Sequence, residues 1–111
     1  MKALVINTEG DTKTKDFSDT NLLAEFQKEV GGYVEVVNTE GFSIWFNEDG
    51  LRLDLPLNGF ASWLLSPWTG GGLVGTVIVT GEEVDGEPTD VPEQIAERAT
   101  ALARIAKEGD S

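Results

Sequence analysis

The residues whose spacing most suggests chemistry are the glycines of "TGGGLVGTVIVTG", residues 69–81, where Gly70, Gly72 and Gly75 read G-x-G-x-x-G. That spacing cradles a dinucleotide pyrophosphate when the glycines follow a strand and open a helix, whose N-terminus then faces the phosphates. Here the order is inverted. The helix-like "GFASWLLS" comes before the glycines and the β-branched "TVIVT" comes after them. No G-K-[ST] occurs either, so a P-loop is ruled out as well. The glycines are expected to shape a connection, or a lid over some other ligand, with Gly75 permitting close approach where a strand begins.

Carboxylates are the other abundant chemical group, with 20 acidic residues against 8 basic ones and a formal charge of −12. They are densest at Glu82, Glu83, Asp85, Glu87, Asp90 and Glu93. A calcium loop needs oxygen ligands at its first, third and fifth positions, glycine at the sixth and glutamate at the twelfth. Setting Gly86 sixth puts Gly81 first and Pro92 twelfth, while setting Gly50 sixth puts Trp45 first. Both registers fail. The chain has no histidine and no cysteine, which removes imidazole acid–base work, thiol nucleophiles, zinc thiolates and disulfides. Carboxylates, lysines, hydroxyls and the lone Tyr33 would have to carry any catalysis, and no pattern sets a glycosidase pair apart from the other acids. A non-enzymatic protein with no cofactor and no metal is therefore expected.

A surface this acidic repels phosphates and anionic lipid, so neither nucleic acid nor membrane is an expected direct partner. The carboxylates serve either solubility or contact with a basic protein surface, DNA imitation being one form of the latter. No apolar run approaches the ~20 residues that span a bilayer, and "MKALVINTEG" turns polar too early for a signal peptide.

With 111 residues and 40% hydrophobic content, one domain with one core is expected. "ALVI" reads as a buried strand, and "TKTKDF" as an edge strand guarded by Lys13 and Lys15. Leu22, Leu23, Phe26 and Val30 mark one face of a first helix, capped by Ser18 or Asp19 and stopped by Gly31 and Gly32. "YVEVV" alternates as a strand. In "FSIWFNEDGLRLDL" two alternating runs flank the turn residues "NEDG", which predicts a hairpin. Trp45, Arg52 and Asp54 would then lie opposite the leucines: a partner contact if one sheet face is open, core if helices cover both. Asn58 is expected to cap a short helix that Pro67 closes, carrying Trp63 and Trp68. An acidic loop over 82–90 leads to a C-terminal helix over 91–107 with a tail over 108–111. Asp90 and Glu93 have capping-box spacing, and the helix bears a thin stripe of Ile95, Leu102, Ile105 and alanines. That stripe suits packing on the domain or pairing with a second copy in a homodimer.

Two candidate sites result. An interaction surface would use Trp45, Arg52 and Asp54 or the acidic Glu82, Glu83, Asp85 and Glu87. A small-molecule or nucleotide pocket would instead use Asn47, Asn58, Trp63 and the loop Gly70, Gly71 and Gly72.

"MKALVI", "VGGYVEVV", "NEDGLRLDLPLNGFAS" and "LVGTVIVTG" also form an ordered set. The set resembles a family of small domains of unknown function from bacteriophages, actinobacteria and mobile elements. The matching positions are Gly31, Gly32 and Tyr33; Asn47 to Gly50; Leu55, Pro56, Asn58 and Ala61; and Val74, Gly75, Val77, Val79 and Gly81. The resemblance covers residues 1–81 and leaves out the C-terminal helix. Residues 56–58 read "PLN" where the family pattern has "PPN" followed by a basic residue. The resemblance implies a setting and not an activity: a phage or prophage accessory protein in the bacterial cytoplasm. There it would contact a host or phage protein and modulate a host process such as defence. The expected fold is a single α+β domain, with a mixed, mainly antiparallel sheet of about five strands and packed helices.

Overall fold

The computed structural model describes residues 1–109. The chain runs β1 (Lys2–Ile6), β2 (Thr12–Asp16), α1 (Leu22–Val30), β3 (Val34–Asn38) and β4 (Phe42–Asn47). It continues through α2 (Gly59–Leu64), α3 (Ser66–Thr69), β5 (Val77–Gly81) and α4 (Glu93–Gly109). The strands form one sheet in the order β2-β1-β5-β4-β3. Every pairing is antiparallel, so the α+β expectation holds without any parallel component.

Strand alternation divides the core in two. Leu4, Ile6, Phe42, Ile44, Val77 and Val79 point to one face, which α2, α3 and α4 cover through Ala61, Leu65 and Ala99. Ala3, Val5, Trp45 and Ile78 point to the other, which α1 closes with Phe26 and Val30. Both faces are therefore shielded, and the central strands β1, β4 and β5 are largely buried on both sides.

The largest departure from expectation is the hairpin. Its turn forms: Gly50 N–H donates to Asn47 C=O at 3.3 Å and Asp49 N–H to Asn47 Oδ1 at 2.8 Å. No return strand follows, because β3 and β5 already occupy both edges of β4. Residues 49–55 coil instead, with Leu53 N–H bonded to Asp49 C=O and Leu55 N–H to Gly50 C=O. Leu51 and Leu53 are left exposed.

Four helix ends also differ. Asn21, whose side chain makes no capping bond, precedes α1, and neither Ser18 nor Asp19 caps it. Pro67 opens α3 and does not close α2, since the break falls at Leu65. The Asp90 carboxylate accepts from Lys2 N–H at 2.8 Å, tying the segment to β1. The helix of the C-terminal region runs to Gly109, two residues beyond the expected 107, and residues 110–111 of the expected tail lie outside the described part. Its alanines settle the stripe: Ala99 and Ala103 seat α4 on its own domain, while Ile105 is exposed.

Candidate functional site

The structure separates the residues of both expected sites. Trp45 is buried at 8% exposure. Its indole Nε1–H donates to Thr80 Oγ1 at 2.9 Å, and its ring meets Phe26 edge-on at 5.1 Å. Because α1 covers this face, Trp45 is core and cannot be a partner contact. Arg52 and Asp54 stay on the surface of the coiled segment. Arg52 pairs with Asp49 at 3.3 Å, and Asp54 takes a left-handed φ of 57°.

The expected ligand pocket does not assemble either. Asn47 Nδ2–H donates to Val30 C=O at 3.1 Å, joining β4 to the end of α1. Asn58 is fully buried and donates to Ile6 C=O at 3.0 Å and Gly75 C=O at 2.9 Å. Its Oδ1 accepts from Ala61 N–H at 3.1 Å, the predicted cap of α2. Both amides are thus committed to holding the backbone together. Gly70, Gly71 and Gly72 all have positive φ, between 71° and 83°, and link α3 to β5 as a plain connection. A Cβ on Gly75 would come within 2.8 Å of Leu55 Cδ1, which is the close approach expected at that glycine.

Trp63 is the one expected pocket side chain that faces solvent beyond the glycine loop, at 61% exposure. It stands in the wall of an apolar groove of about 460 Å³ between α2–α3 and α4. Phe42, Leu65, Trp68, Ile95 and Leu102 line the same groove. Trp68 is 48% exposed and packs edge-to-face on Phe42 at 5.0 Å. The groove arises because α2 and α3 span ten residues with a break at Leu65 (six in α2 and four in α3). Two such short helices turn Ala61 and Leu65 inward and leave no buried place for both indoles. "SWLLSPW" carries five apolar residues beside Ser62 and Ser66, and in so short a segment that is a sign of surplus apolar surface.

The acidic segment leaves β5 next to Phe42. It is a tight turn and not an open loop: Val84 and Glu87 exchange backbone hydrogen bonds at 2.8 and 3.1 Å across Asp85 and Gly86. The positive φ of both central residues, 54° and 82°, is that of a type I′ hairpin turn. Glu82, Glu83, Asp85 and Glu87 are all exposed. Glu82 Oε1 accepts from Gly41 N–H at 2.7 Å, which anchors the turn beside Phe42 and hence beside the groove. Among the described residues, no group of three or more acidic side chains is placed to hold a metal ion. None of their helices is long and apolar enough to cross a membrane.

A family model described as "Domain of unknown function (DUF3846)" matches residues 1–104. The chain belongs to this family. The match takes in most of α4, which the resemblance had left outside, so the helix over the groove is part of the DUF3846 domain. No curated protein and no solved structure matches the chain.

Proposed function

We propose that this DUF3846 domain is a non-enzymatic protein-interaction module whose contact surface is the Trp63–Trp68 groove. The exposure of two tryptophans on one apolar groove carries the reading. Indoles hold large apolar area with few rotamers to freeze, and they are enriched among the side chains that dominate protein–protein affinity. The absence of histidine and cysteine agrees with a role in contact and not in bond-making. The motif resemblance supplies the setting: a phage or mobile-element protein acting on a host or phage protein in the bacterial cytoplasm.

A photo-crosslinking amino acid at position 63, introduced in bacteria carrying the phage or element, tests this. The expected result is one dominant adduct that is missing when the same group replaces Leu51, which is exposed and does not line the groove. Identical adducts from both positions would remove the groove from consideration. A nucleotide or metabolite that clearly raises the melting temperature would move the function to ligand sequestration.

A further inference from the structure

The acidic turn leaves the sheet next to one end of the groove. Gly81 of β5 pairs with Phe42 of β4, so the chain leaving β5 starts at the groove's Phe42 end. The bond from Gly41 N–H to Glu82 then fixes the turn in that place. The apolar hollow walled by two indoles therefore has the 82–87 turn next to its Phe42 end, with Glu82, Glu83, Asp85 and Glu87 exposed outside the groove lining. The groove wall holds a single charged residue, Arg98, which makes no ion pair among the described residues.

We infer that the occupant is a cationic amphipathic segment of a partner protein. Its aliphatic side chains lie between Trp63, Trp68 and Leu102, and its lysines or arginines reach the 82–87 turn. The inference rests on the groove being a docking surface and adds the chemistry of what docks. Charge decides between occupants. A second copy of this chain brings its own formal charge of −12 and is repelled. A basic segment is drawn toward the carboxylates and is then held by apolar burial, so attraction sets the approach and the indoles set the residence.

The probe is a helical peptide of about 18 residues, with leucines along one face and lysines on the other. Two controls accompany it: the same peptide with glutamate for lysine, and a scrambled peptide of the same composition. Emission of Trp63 and Trp68 reports occupancy, and buried Trp45 supplies a constant blue background. The lysine peptide is expected to shift the emission and to bind at least about tenfold more tightly than either control. Its affinity should fall as salt rises from about 50 to 300 mM. Trp63→Ala is expected to lose at least about tenfold in affinity. Charge neutralisation by E82Q/E83Q/D85N/E87Q should abolish the preference for lysine over glutamate while keeping the emission shift, and Arg98→Glu should tighten the lysine peptide.

Equal or tighter binding of the glutamate peptide overturns the cationic chemistry and leaves the docking groove standing. Lysine-peptide binding that Trp63→Ala does not weaken is adsorption to an acidic surface, and it also overturns the inference. A dimer in sedimentation that Trp63→Ala makes monomeric assigns the groove to a second copy instead. If no peptide moves the emission and the chain sediments as a monomer, the docking reading itself fails. Unchanged far-ultraviolet circular dichroism confirms that each variant is folded.

Discussion

The two faces of the sheet use the same residue type in opposite ways. Under α1, the indole of Trp45 is enclosed by Phe26 and bonded to Thr80. Phe17 adds an edge-on contact to Phe26 at 5.0 Å, so three buried aromatic rings form one edge-to-face row. On the other face, α2 and α3 present Trp63 and Trp68 outward, beside a helix seated through small alanines. One amphipathic helix with a bulky apolar stripe seals its face. Two short helices and an alanine-rich one cover theirs and leave a groove. The contrast shows that an aromatic residue's role depends on whether the element above it is long and bulky enough to cover it.

The largest effect that would break this contrast is Trp45→Ala. Removing a buried indole should cost about 3–5 kcal/mol, read from the midpoint of a urea melt. A loss below about 1 kcal/mol would mean that the α1 face is not sealed. Asn58→Ala comes next, at about 2–3 kcal/mol, because Ile6 and Gly75 carbonyls and the Ala61 amide lose their partner. It should destabilise without altering any ligand response, since the side chain faces the backbone and not a pocket.

Trp63→Ala sharpens the comparison from the open side. Stability should change by less than about 1 kcal/mol while solvent-exposed emission falls, which would separate a surface indole from the buried one. A large destabilisation would instead show that Trp63 is structural. The smallest effect belongs to Arg52→Ala, within about 0.5 kcal/mol, because its pair with Asp49 is solvated. A larger loss would make the coiled 49–55 segment a stabilising element.

Much of this architecture was legible locally. The helix–glycine–strand order around Gly70–Gly75, inverted relative to a dinucleotide loop, is the order found between α3 and β5, and Asn58 caps α2 as its position predicts. The turn at Asn47–Gly50 forms as its residues demand. The strand expected after it does not, because alternation in "LRLDL" describes a segment able to pair and says nothing about whether an edge is free. The candidate site was legible only in part: Trp63 and Trp68 stood out by type, whereas Phe42 read only as one face of a strand, and Ile95 and Leu102 as a stripe suited to packing or to pairing with a second copy.

The sequence by itself determined the elements governed by neighbours along the chain: turns, caps, helix stops, the excess of carboxylates and the lack of imidazole and thiol. Only the tertiary structure decided that β5 inserts between β1 and β4, burying Trp45 and denying Leu51 and Leu53 a partner strand. It likewise decided that the acidic turn is bonded across to Gly41, next to Phe42 of the groove. Turns and caps are set by backbone geometry over a few residues. Strand order and the joining of distant surfaces are set by which apolar faces find cover, and that depends on the whole chain at once.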